Sequence, residues 1–170
     1  PRDAPQAARP LPQTLAFMST DADILAAIDD AFGNFPRPEH FTNHTHCEEC
    51  AEHDELLLSR DNHSLRTEDI GNAGWDPLCF TSAQGLLYFM PGMARVALSP
   101  PTPGFDWYPR QLHFHLTYEG TQNRMLGATS AQQRQVVAQL LRHIVATRGA
   151  LCEEWSCRED LLAAAELWES

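Results

Sequence analysis

Lysine is missing altogether: all twelve basic residues of this 170-residue chain are arginine. That excludes Schiff-base chemistry and lysine-activated nucleophiles, and with them a P-loop, whose lysine reaches the phosphates. Long apolar runs are also missing. No stretch approaches the ~20 consecutive apolar residues that a membrane-spanning helix needs. No charged segment followed by an apolar one opens the sequence, so no secretory signal is visible in it. Positive charge is scarce, with 12 basic against 23 acidic side chains and a net charge of −11. That argues against a phosphate backbone as partner, and hence against nucleic acid. No Gly-x-Ser-x-Gly elbow is present. The five cysteines, Cys47, Cys50, Cys79, Cys152 and Cys157, are an odd number and do not read as a secreted disulfide scaffold. The expectation is a reducing, cytoplasmic setting, with no membrane as partner.

What is present is ordinary for a globular protein: 43% hydrophobic and 21% charged residues. The length suits one domain. Residues 1–18, rich in Pro, Ala, Gln and Arg, read as a flexible tail, and residues 19–170 as a single helical domain. Ser19, Thr20 and Asp21 offer caps to a first helix whose Ile24, Leu25, Ile28 and Phe32 fall on one stripe, ending at Gly33. Helix resumes near Cys47 and runs to Leu58, with a short helix from Ser64 to Ile70. Thr81 or Ser82 caps a longer helix carrying Leu86, Met90, Met93 and Ala97 inward, with Pro91 expected to kink it. Asp106 is placed to cap a helix through Leu116, although Leu112, Phe114 and Leu116 also alternate as a strand would. Ser130 with Gln133 is a capping box before the clearest amphipathic helix, Val136 to Val145. Ser156 with Glu159 reads as a second box before a last helix that buries Leu161, Leu162, Ala165 and Trp168. The sum is a mainly α fold, an irregular bundle of about six helices.

One segment carries chemistry. His40, His44, His46, His53 and His63 lie within 24 residues, together with Cys47 and Cys50. Between Arg37 and Arg60 there is no cation, but Glu39, Glu48, Glu49, Glu52, Asp54 and Glu55 are all there. Such a field attracts cations. Cys-x2-Cys lets two thiolates reach one ion from a single turn, and zinc accepts S and N donors tetrahedrally. The expected ligands are Cys47, Cys50 and His53, with His44 or His46 as the fourth. Against this stands a plainer reading. On a helical wheel anchored at Cys47, residues Cys50, Ala51, Asp54, Leu57 and Leu58 share an inward face, as free cysteines often do. Asp54 on that face would then need a partner such as an arginine or a metal. Trp75, in the turn-rich stretch 71–77, reads as a lid over the core rather than an interface anchor.

Several resemblances follow from these residues. Phe35-Pro36-Arg37-Pro38, Cys47-x-Glu49-Cys50, Glu52-His53-Asp54, Trp75-Asp76-Pro77, the Tyr88-Phe89-Met90-Pro91 helix and Asn123-Arg124 together resemble an uncharacterised family of small bacterial proteins, over residues 20–148. That likeness implies no activity. Its Tyr-x-x-Pro helix is similar to those of several bacterial immunity and partner-binding proteins. Cys47-x2-Cys50 with His53 resembles the all-α alkylhydroperoxidase and carboxymuconolactone decarboxylase family, with Asp54 standing where that family has its histidine. That likeness implies a thiol peroxidase using Cys47 and Cys50, although the neighbouring carboxylates are expected to raise both thiol pKa values. The His53-Asp54 doublet is similar to that of metal-dependent His-Asp phosphohydrolases. The reading that unites most of the features is an acidic zinc-binding protein of immunity or antitoxin type, with a structural metal and a protein partner of basic surface.

Overall fold

The computed structural model describes residues 20–170, and the expected tail at 1–18 lies outside them. Among the described residues there are eight α-helices and no strand. They are α1 (Asp21–Phe32), α2 (Glu48–Leu58), α3 (Thr67–Ile70), α4 (Ala83–Leu98), α5 (Pro109–Thr117), α6 (Ala131–Thr147), α7 (Gly149–Glu154) and α8 (Arg158–Glu169). The fold is mainly α. Six of these helices have nine residues or more, and α3 and α7 are short additions.

The core is built around α4. Every residue from Gly85 to Leu98 except Arg95 is buried, so this helix is apolar on all sides and has neighbours all round. It runs through Pro91, and α1, α5 and α6 pack on it. α6 lies between α1 and α8, and α5 rests against α8. One cluster of buried apolar side chains joins them, from Ile24 through Trp107 to Trp168.

Local chemistry explains most boundaries. Thr20 and Asp23 cap α1 reciprocally, and Ser130 and Gln133 do the same for α6. Gln133 also donates through Nε2 to Ala31 O at 2.9 Å, so the cap of α6 is tied to the end of α1. Two expected caps are not used. α5 starts at Pro109, whose fixed φ and missing N–H suit the first helical position, and not at Asp106. Ser156 does not cap α8. It sits at φ 49, where its N–H bonds Glu153 O at 3.1 Å and the N–H of Cys157 bonds Cys152 O at 3.0 Å. That is the Schellman closure of α7, so the backbone of Ser156 is consumed by the end of the preceding helix. The strand alternative at 112–116 also fails. Tyr108, Leu112 and Leu116 are buried at helical spacing, while Phe114 points out.

α2 packs on the short 3-10 turn Pro77–Phe80, off the main bundle. This places the Cys/His-rich segment at the periphery.

Candidate metal centre

The four expected ligands do not meet at one point. The structure sorts them into three surroundings.

Cys47 is the N-cap of α2, in extended conformation, and its Sγ accepts the Cys50 N–H at 3.4 Å. His46, just ahead of the helix, brings Nδ1 to 3.7 Å from Cys50 Sγ. One donor atom from each of His46, Cys47 and Cys50 lies within 4.8 Å of the other two. Cys47 is exposed and Cys50 is buried. The thiols are not equivalent. The Cys50 backbone N–H, then the Cys50 side chain and His46, hold the Cys47 pKa below the ordinary value. The Cys47 hydrogen bond, then burial and the charges of Cys47 and Glu49, push Cys50 up. The expectation that carboxylates raise both thiols therefore fails at Cys47, where the N-cap position and the imidazole outweigh them.

His44 belongs to a second group. Its ring stacks on His40 with centroids 3.7 Å apart, and His40 Nδ1 lies 2.6 Å from Asp54 Oδ2. The other Asp54 oxygen accepts the N–H groups of Phe41 at 2.7 Å and Thr42 at 3.0 Å. Burial alone would raise the Asp54 pKa, but the His40 bond and these two N–H groups together hold it below the usual carboxylate range. The inward carboxylate is thus satisfied by an imidazole and backbone amides, not by an arginine.

His53 is the third case. It is 1% exposed, lies between Trp75 and Phe80 with ring centroids 4.5 and 4.7 Å away, and neither ring nitrogen has a hydrogen bond. Its nearest acidic atom is Glu49 Oε1, at 3.7 Å. The inward stripe of α2 is Cys50, His53, Asp54 and Leu57, the i, i+3, i+4, i+7 set counted from Cys50. A wheel anchored on Cys47 is misphased because Cys47 stands outside the helix, which is why Ala51 and Leu58 prove exposed. Trp75 does act as a lid, but over this imidazole, and it keeps 42% of its surface exposed.

A further group has no spacing signal in the sequence. Asp76, Cys79 and His115 each place one donor atom within 4.8 Å of the other two. Their separation along the chain, from the 3-10 turn to α5, hides it. His46 was visible only as an alternative to His44.

Comparison with family models, curated proteins and solved structures finds no match to this chain. The chemistry of the sites must carry the functional reading.

Proposed function

We propose that this is a metal-binding protein whose centre is His46, Cys47 and Cys50, with zinc as the ion and a chiefly structural role. The convergence of these three donors is the observation that carries the reading. A tetrahedral zinc with ~2.3 Å bonds to sulfur and ~2.0 Å bonds to nitrogen sets its donors roughly 3.6 Å apart. The Cys50 Sγ to His46 Nδ1 separation of 3.7 Å fits that spacing. When bound, zinc supplies a cross-link between the 40–47 segment and the first turn of α2. His46 and Cys50 orient the site, and Cys47 offers the accessible thiol. The test is elemental analysis of protein purified without a histidine tag. One zinc per chain is expected at this centre, so Cys47→Ser and Cys50→Ser should each hold one zinc fewer than the parent chain, and His53→Leu as many. Absence of near-stoichiometric metal overturns the reading.

The partner belongs to the same proposal. A chain of net charge −11 steers toward a basic protein surface, as immunity and antitoxin proteins do. Association with the products of neighbouring genes is expected, weakening steeply as salt rises. Binding that is indifferent to salt would refute it.

The thiol asymmetry favours a second reading, a thiol peroxidase. An exposed Cys47 with lowered pKa attacks the O–O bond of a hydroperoxide, which leaves as the alcohol after taking a proton. The resulting sulfenic acid loses water to the Cys50 thiol and a disulfide forms. An external dithiol must reduce it. Loss of two titratable thiols on adding peroxide to metal-free protein supports this route, and an unchanged count ends it. The hydrolase alternative at His53-Asp54 gains no support, because the two side chains do not share a site: Asp54 groups with His40 and His44, while His53 lies between Trp75 and Phe80.

A further inference from the structure

Asp76 and His115 are buried, at 4% and 3% exposure, yet they adjoin accessible space. Asp76 and Cys79 line a cavity of about 380 Å³, with Gln111, His113, Asp160 and Arg110 among its other walls. Cys79 and His115 line a second cavity of about 350 Å³, beside Arg124. The donor group therefore sits between the two. The larger cavity holds the carboxylates Asp76, Asp106 and Asp160 against the single guanidinium of Arg110, a balance that suits a cation.

Asp76 is built in firmly. Oδ1 accepts the Leu78 N–H at 2.9 Å, and Oδ2 accepts Gln111 Nε2 at 3.0 Å and pairs with His115 Nε2 at 2.8 Å. Gln111 spends its second amide hydrogen on Ile70 O at 2.8 Å, which leaves Oε1 buried with no partner although the residue is only 7% exposed. The hydroxyl of Tyr108, at 2% exposure, is also without a partner. An orphaned oxygen on a side chain that both bonds Asp76 and lines the larger cavity calls for something absent from the bare chain.

We propose that Asp76, Cys79 and His115 form a second divalent-cation site, independent of the one at His46, Cys47 and Cys50, with an open coordination position on the cavity side. Three protein donors of S, N and O type with a fourth position left for water or ligand is the arrangement of a reactive zinc site rather than a closed structural one. Binding replaces the direct imidazole–carboxylate contact: that pair opens from 2.8 Å to the roughly 3.3 Å that two donors on one tetrahedral ion require, and the Cys79 thiol gives up its proton. A metal-bound water supplies the hydrogen-bond donor that Gln111 Oε1 lacks.

The experiment uses the full chain carrying Cys47→Ser and Cys50→Ser, so that the first site is gone, titrated with Co²⁺ alone. One Co²⁺ per chain is expected, with the visible thiolate-to-cobalt charge-transfer absorption of a sulfur ligand. Adding Cys79→Ser, a change at an exposed side chain, should abolish that absorption. It should also weaken binding by more than the ~10–100-fold lost when an outer-shell partner is removed. Bound Co²⁺ should slow alkylation of Cys79. No uptake of Co²⁺, or an absorption that survives Cys79→Ser and so belongs to Cys152 or Cys157, overturns the proposal. Cys79→Ser alone leaves the first site intact, so the two readings fail separately.

Discussion

His53 shows how a residue type misleads when its surroundings are unknown. An imidazole next to a Cys-x2-Cys pair has the composition of a ligand, yet here it is buried between Trp75 and Phe80, with no hydrogen bond to either nitrogen and only Glu49 Oε1 near, at 3.7 Å. Burying a polar group without a partner costs free energy, and replacing it by an apolar one of similar size is neutral or favourable. His53→Leu is therefore expected to leave stability unchanged or raise it by up to about 1 kcal/mol in urea denaturation, with zinc content unaltered. A fall of several kcal/mol, or loss of metal, would contradict the placement. Asp54 is the opposite case. Its helical position predicted an inward carboxylate that needs a partner, and the structure supplies His40 and two backbone N–H groups. The need was legible in the sequence. The identity of the partners was not, because two of them are backbone groups of a loop whose path no side-chain pattern encodes.

At the scale of helices, periodicity located the long elements and local caps located most of their ends, failing at the starts of α5 and α8. α6 and α1 declared themselves by caps and stripes that depend only on neighbours three or four residues away. Ser156 carried the same local signal, and the closure of α7 overrode it. A non-glycine residue held at φ 49 carries about 1 kcal/mol of backbone strain. Ser156→Gly should therefore stabilise the protein by up to about 1 kcal/mol, measured by thermal or urea unfolding. If Ser156 instead capped α8, the same change would be neutral or destabilising. The contact between α1 and α6 has an electrostatic component as well. Arg148 donates to both oxygens of Asp21, at 3.1 and 2.6 Å, and His143 Nε2 lies 2.7 Å from the same carboxylate. The Arg148 hydrogen bond foremost, opposed by burial and reinforced by His143, lowers the Asp21 pKa from 3.8 to about 2. Folded Asp21 thus binds its proton less tightly than unfolded Asp21. The stability it contributes is nearly complete above about pH 4 and is lost as pH falls through about 2. The carboxylate is half exposed, so after solvent screening the contribution is about 1 kcal/mol. Wild type and Asp21→Asn should differ by this amount at pH 6 and converge only below about pH 2. A difference that persists in acid would show that the pair does not titrate as described.

On the scale of the whole molecule, the candidate metal centre and the main core lie in different places. The buried cluster that joins α1, α4, α5, α6 and α8 draws on α2 only through Leu57 and keeps Cys47 and His46 outside it. The metal proposed at His46, Cys47 and Cys50 is therefore expected to brace residues 40–58 locally and not the main core. Chelation should leave the far-ultraviolet circular dichroism unchanged and speed hydrogen exchange in residues 40–58 alone. Global unfolding on adding chelator would mean that the metal contributes to the core, as it does in small zinc domains. No helix among the described residues is long and apolar enough to cross a membrane.

The sequence by itself determined whatever depends on short range. The helical class, the core faces of α1 and α6, and the pairing of Cys47 with Cys50 across one helical turn all follow from spacings of three or four residues, which the geometry of a helix converts directly into proximity. Tertiary structure alone decided which histidine joins those thiols, what satisfies Asp54, and that Asp76, Cys79 and His115 meet at all. Those contacts depend on how separate elements pack and on the path of loops, and neither is written in the spacing of residues along the chain.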